Sequence, residues 1–184
     1  VLPQSYTPIR FTVESDWSAA SYWYEMMALS PGAEIELLGL FKESLQGDAA
    51  GAKLFERLGV ESCFTDRGVR LRHTGIRCKE LTYDFVNEPD LAQTFVVTCA
   101  LRGVPFRFTG LQSLKIKETD RIAALQTELR KLGYVVRDEQ DSILSWDGER
   151  CEPEAHPVIA TYEDHRMALS FAPAALVRPE GIEI

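Results

Sequence analysis

Three aspartates, Asp16, Asp90 and Asp164, are separated by 74 residues in both intervals, and each opens the same local pattern. An internal period of this kind means that the chain repeats one supersecondary unit, which removes most folds from consideration. The first copy begins Asp16-Trp17-Ser18-Ala19-Ala20-Ser21-Tyr22 and runs on to Ile35-Glu36-Leu37. The second begins Asp90-Leu91-Ala92-Gln93-Thr94-Phe95 and runs on to Phe106-Arg107-Phe108. The third begins Asp164-His165-Arg166-Met167-Ala168-Leu169 and runs on to Ile182-Glu183-Ile184. An aspartate at a helix start accepts backbone N–H bonds and complements the positive helix end, so a shared capping role is expected at all three positions. A turn follows each helix, at Pro31-Gly32, at Gly103 and at Pro179-Glu180-Gly181, and a short strand follows each turn.

The second halves of the first two copies also correspond. Gly39-Leu40 matches Gly110-Leu111, Asp48 matches Asp120, and two further helices end at Gly59 and Gly133, where a left-handed residue is commonly needed. Strands are expected at Ser62–Thr65 and Val69–Arg72, at Val135–Arg137 and Ile143–Trp146, and ahead of the aspartates at Arg10–Val13, Leu81–Phe85 and Val158–Thr161. The unit reads β-α-β-α-β-β, which gives an α/β (α+β) fold. Its copies cover about 9–74, 80–148 and 157–184, the third ending after its first helix, so the expectation is a partial domain of three such units. The helix after Asp120 carries an apolar stripe of Ile122, Leu125, Leu129 and Leu132, with Arg121, Glu128, Arg130 and Lys131 expected to face water.

Charge and cysteine usage limit the partners. A net charge of −8 argues against nucleic acid, although a few Arg and Lys can still build a local anion site. No apolar run approaches the roughly 20 residues of a membrane span, and Val1-Leu2-Pro3-Gln4 does not read as a signal peptide. Cys63, Cys78, Cys99 and Cys151 form no CxxC pair and no metal-ligand spacing with His73, His156 or His165, which fits free thiols and a cytoplasmic location.

Two clusters have the chemistry of an anion site. Lys115, Lys117, Glu118, Asp120 and Arg121 lie where a strand gives way to a helix, a place that favours anions, and Glu118 beside the cations could transfer a proton. A solvated helix start with Asp120 as cap accounts for the same residues. The second cluster, Asp164-His165-Arg166, stands where the preceding copy has Asp90-Leu91-Ala92. Cations in place of apolar or small residues suit a second anion contact, and an exposed first helical turn is the alternative. Asp90, stiffened by Pro89, can accept a proton from a hydroxyl or can simply cap its helix. Trp17, Tyr22, Trp23 and Tyr24 read as helix packing, and Gln46-Gly47-Asp48 as a turn and cap.

The runs Lys117-Glu118-Thr119-Asp120-Arg121 and Asp164-His165-Arg166-Met167-Ala168 give the chain a resemblance to the 5-enolpyruvylshikimate-3-phosphate synthase family. Asn87-Glu88-Pro89-Asp90, the stretch Glu14–Tyr22 and Gln46-Gly47-Asp48 extend the resemblance, in order, over nearly the whole chain. It implies the enolpyruvyl transferase fold, of two similar domains each built from three β-α-β-α-β-β copies, with this chain, residues 1–184, as part of the C-terminal one. It also implies transfer of the enolpyruvyl group of phosphoenolpyruvate to the 5-hydroxyl of shikimate 3-phosphate, without a metal or organic cofactor. On that resemblance Asp90 is the base and Glu118 a proton-transfer residue. Arg121 and Arg166 hold phosphoenolpyruvate, and Lys117, Asp90 and Ser113 contact shikimate 3-phosphate. Ser113, a shorter group with fewer hydrogen-bond partners, stands where the family often has Asn. The N-terminal domain of the family is the implied partner, and without its cations the chain alone is expected to be inactive. UDP-N-acetylglucosamine enolpyruvyl transferase, or a non-catalytic domain that binds an anion or a partner, are the alternative readings.

Overall fold

The computed structural model describes residues 2–184. In chain order its elements are α1 (Trp17–Leu29), β1 (Glu34–Leu38), α2 (Ala50–Glu56), β2 (Val60–Phe64), β3 (Gly68–His73), β4 (Leu81–Asp84), α3 (Ala92–Arg102), β5 (Phe106–Thr109), α4 (Arg121–Lys131), β6 (Arg137–Glu139), β7 (Ile143–Trp146) and α5 (His165–Phe171). One sheet has the order β1-β3-β2 and is antiparallel throughout. The other has the order β4-β5-β7-β6, with β4 parallel to β5 and the remaining pairs antiparallel. Each sheet belongs to one copy of the repeat, as the 74-residue period requires.

The parallel pair at the head of each copy is formed to different extents. In the second copy it is a ladder from Leu81↔Phe106 to Asp84↔Thr109. In the third it shrinks to the bridge Val158↔Glu183, so the strand expected at Val158–Thr161 is a single pairing. In the first, only the Ser15 amide donates to the Gly39 carbonyl, at 2.7 Å. The strand expected at Arg10–Val13 is not formed. Phe11 and Val13 are 67% and 83% exposed, so alternating apolar residues are present but nothing covers them. The expected Val135–Arg137 strand begins later, at Arg137, because Tyr134 and Val135 pair with the Glu149–Arg150 turn instead.

Helix α3 lies at the centre. Every residue from Ala92 to Ala100 is buried, as a helix without a solvent face must be when it packs on both neighbours. It contacts α1, α4 and α5, and its Phe95 ring packs, tilted, on Phe55 at a centroid distance of 4.2 Å and on Phe85 at 5.6 Å, joining the cores of the two sheets. The stripe Ile122, Leu125, Leu129 and Leu132 of α4 is buried as its spacing predicts. Arg121 and Glu128 depart from the expectation of solvent exposure: both are buried, because each finds several oppositely charged or polar partners inside.

Candidate functional site

The starts of α3, α4 and α5 meet, and each brings charge. Arg121, the first residue of α4, is 1% exposed and forks between three carboxylates. Its Nε donates to Asp164 Oδ2 at 2.7 Å, its Nη1 to Asp90 Oδ1 at 3.2 Å and its Nη2 to Glu118 Oε2 at 2.7 Å. Asp90 in turn gathers three cations: Arg121, Lys117 Nζ at 3.4 Å on the same oxygen, and Arg166 Nη2 at 3.2 Å on Oδ2. Buried ion pairs of this kind give little net stability over an apolar replacement, so the fold does not require them. The site therefore combines Asp90, Lys117, Glu118, Arg121, Asp164 and Arg166, with Lys117 and Glu118 on the solvent side.

The expected shared capping role holds for two aspartates of three. Asp16 accepts from the Ser18 amide at 2.8 Å, and Asp164 from the Arg166 amide at 2.9 Å. Asp90 caps nothing: it sits inside a 3-10 turn, Pro89–Leu91, whose N-cap is Glu88. Pro89 is the cause. Its fixed φ suits the first position of a helical turn, which draws the start of the turn back before Asp90 and leaves that carboxylate pointing away from the free amides.

Electrostatics matches the geometry. Burial opposes ionisation of Asp90, but Arg166, Lys117 and Arg121 outweigh it and hold its carboxyl below the usual carboxylate range. Burial also opposes ionisation of Asp164, and the bonds from Arg121 and the Arg166 amide reverse it. Arg166 is held more firmly protonated by Asp90 and Tyr22, against the effect of its own burial.

Other expected residues lie apart. Lys115 pairs with Asp141 at 2.5 Å and Asp120 at 3.8 Å, so it is neutralised away from Asp90. Asp120 caps α4 through the Ala123 amide at 3.1 Å. Ser113 is half-buried on the 3-10 stretch Gln112–Ile116 and makes no side-chain hydrogen bond among the described residues. His165 is exposed. Two residues read as packing or turn belong beside the site. The buried Tyr22 hydroxyl faces Arg166 and Gln93 yet has no hydrogen-bond partner among the described residues; burial raises its pKa and Arg166 opposes the rise. Asp48 takes a hydrogen bond from Ser18 rather than capping, and burial pushes its carboxyl up, with Arg166 and Asp90 as charged neighbours. The signal for Tyr22 was in the repeat, where Val96 and Ser170 hold the corresponding positions. Among the described residues no three His, Cys, Asp or Glu side chains cluster to hold a metal, and no helix is long and apolar enough to cross a membrane.

Known proteins match the chain throughout. The family model described as EPSP synthase (3-phosphoshikimate 1-carboxyvinyltransferase) matches residues 2–184. A 3-phosphoshikimate 1-carboxyvinyltransferase of Bacteroides fragilis (strain YCH46) is 67% identical over 177 residues, 96% of this chain and 43% of that protein. One from Vibrio cholerae serotype O1 is 36% identical over 174 residues, 94% of this chain and 39% of the relative. The chain thus spans less than half the length of these curated relatives. An EPSP synthase structure from Acinetobacter baumannii superposes with a TM-score of 0.71 at 20% identity, covering 89% of this chain and 40% of that one, a likeness of fold.

Proposed function

The chain belongs to the EPSP synthase (3-phosphoshikimate 1-carboxyvinyltransferase) family, and from that premise we propose that it forms one side of the site that transfers the enolpyruvyl group of phosphoenolpyruvate to the 5-hydroxyl of shikimate 3-phosphate. The observation that carries this reading is Asp90, released from capping and bound to Lys117 and Arg121 from the approach to and start of α4 and to Arg166 from α5. Arg121 and Arg166 are suited to the carboxylate and phosphate of phosphoenolpyruvate, since guanidinium groups pair with both in two-point fashion. Lys117, on the solvent side, is suited to shikimate 3-phosphate, with Ser113 on the stretch just before it.

In the reaction, Asp90 accepts the proton of the 5-hydroxyl as its oxygen bonds to the central carbon of phosphoenolpyruvate. A proton from Glu118 goes to the methylene carbon, which completes a tetrahedral intermediate. Return of a methyl proton to the protein and cleavage of the carbon–phosphate oxygen bond then release phosphate and restore the double bond. Three cations keep Asp90 a poor base, and an incoming anion that draws Arg121 and Arg166 to itself makes it a better one.

Charge balance supports completion of the site by the rest of the polypeptide. Lys117, Arg121 and Arg166 face Asp90, Glu118 and Asp164, so the cluster has no surplus positive charge for two polyanionic substrates. The partner is therefore the N-terminal domain of the same protein, and the chain by itself is without appreciable activity. The test is phosphate release from phosphoenolpyruvate. The complete polypeptide releases phosphate with shikimate 3-phosphate and none with UDP-N-acetylglucosamine, and the 184-residue chain releases none with either. Turnover with the UDP-sugar, or none with shikimate 3-phosphate, contradicts the reading.

A further inference from the structure

Seven residues after Arg121, two turns along the same side of α4, stands a carboxylate with no solvent exposure, Glu128. Counted back from the helix-ending Gly59 and Gly133, the corresponding residue of the first copy is Leu54, a buried apolar side chain. A carboxylate in such a place is costly unless its oxygens find donors, and these do. Oε2 accepts from Lys131 Nζ at 2.7 Å and from the Ala160 amide at 3.1 Å, while Oε1 accepts from the Tyr162 hydroxyl at 2.7 Å. Lys131 Nζ also donates to the Val158 carbonyl at 2.8 Å, and the Glu154 amide to the Lys131 carbonyl at 2.8 Å. Apart from the Lys131–Glu128 pair, which lies within α4, these bonds tie α4 to the segment that leads into Asp164.

That segment ends in a backbone conformation it does not favour. Tyr162 and Glu163 are consecutive left-handed residues, at φ 56° and 58°, and neither is glycine. Such conformations persist only where the surroundings impose them. The Asp164 amide closes the turn on the Thr161 carbonyl at 2.9 Å, and the Tyr162 hydroxyl anchors it on Glu128. The next residue is the buried partner of Arg121, and two residues further Arg166 faces Asp90.

We propose that Glu128 is a positioning residue: through Tyr162 and Ala160 it holds the left-handed Tyr162–Glu163 turn against α4, and so sets where Asp164 and Arg166 meet Arg121 and Asp90. Helix α4 then registers the segment at two points, Arg121–Asp164 and Glu128–Tyr162, on one side of one rigid element. Burial and the Glu128 carboxylate push the Tyr162 hydroxyl up to about 12, so it remains a donor throughout the neutral range. The kinetic consequence rests on the synthase reading, because it is read as affinity for phosphoenolpyruvate.

The test compares Tyr162→Phe with Tyr162→Phe/Glu163→Gly. The Tyr162 ring is 38% exposed, so loss of the hydroxyl leaves the fold intact, as an unchanged circular dichroism spectrum verifies. In the complete polypeptide, Tyr162→Phe raises KM for phosphoenolpyruvate roughly tenfold and leaves that for shikimate 3-phosphate within about twofold. Glycine at 163 takes a left-handed φ without support and recovers most of the loss. Wild-type kinetics in Tyr162→Phe, or a loss that the glycine does not recover, overturns the proposal. A second readout is independent of turnover. Amide hydrogen exchange at Ala160 and Arg166 accelerates about tenfold in Tyr162→Phe and slows again with the glycine. Exchange unchanged at both amides overturns the positioning role, whereas a wild-type enzyme without phosphate release overturns only the synthase reading.

Discussion

Asp16 and Asp90 hold the same place in two copies of one unit, yet one closes a helix end and the other gathers cations. The residue before each decides the difference. Ser15 leaves Asp16 extended, at φ −76° and ψ 116°, so its carboxylate reaches back to the Ser18 amide. Pro89 starts a 3-10 turn that encloses Asp90, whose carboxylate then points across to α4 and α5. Asp164 combines the two roles, capping α5 while it binds Arg121. A repeat thus supplies a cation-binding carboxylate at little cost: the position is already built for an acid, and one proline turns it from the helix end towards α4 and α5.

The largest effect that separates the two positions is kinetic. In the complete polypeptide Asp90→Ala lowers kcat about 10³-fold, the usual worth of a general base, while Asp16→Ala leaves kcat unchanged. Equal losses in steady-state assays of the two variants would erase the contrast. Next comes Arg121→Ala, which leaves buried Asp164 unpaired. Urea unfolding of the chain then shows a loss of about 3–5 kcal/mol, against no more than about 1 kcal/mol for Asp16→Ala, a cap alone. Pro89→Ser gives the second copy the start of the first. It moves Asp90 towards capping and lowers kcat roughly tenfold, with little change in stability. If kcat holds, proline is not what frees Asp90.

The smallest effect is in the acid limb of stability. Asp164 has a depressed carboxyl pKa, so its contribution is fully present above the unfolded-state value near 3.9 and is lost as pH falls through the folded one. Asp164→Asn therefore flattens the decline of urea-unfolding free energy below about pH 4. A variant whose acid limb stays as steep as that of wild type shows that other carboxylates carry it.

Much of this was legible in the residues because it is local. The period, the caps at Asp16, Asp120 and Asp164, the left-handed glycines Gly59 and Gly133 and the apolar stripe of α4 depend on neighbours within a few residues. What was not legible depends on distant partners. Arg121 and Glu128 carry charges that suit a wet helix face, and only Asp90, Asp164, Tyr162 and Ala160, brought from elsewhere, explain their burial. The strand expected at Arg10–Val13 has the right alternation but no covering layer. Among the site residues, Lys117, Glu118, Arg121 and Arg166 stood out where the copies differ. Tyr22 differs from its counterparts too, but an aromatic on a helix reads as packing until its hydroxyl is seen facing Arg166.

On the proposed function, Asp90 is a proton acceptor restrained by Lys117, Arg121 and Arg166 until phosphoenolpyruvate draws the two arginines away. The most direct test is the pKa of the Asp90 carboxyl, followed by carbon-13 NMR in the complete polypeptide as phosphoenolpyruvate is added. The pKa starts below the ordinary aspartate value and rises towards it at saturation, as Arg121 and Arg166 turn to the ligand. A carboxyl pKa that stays put or falls while phosphoenolpyruvate binds contradicts the account.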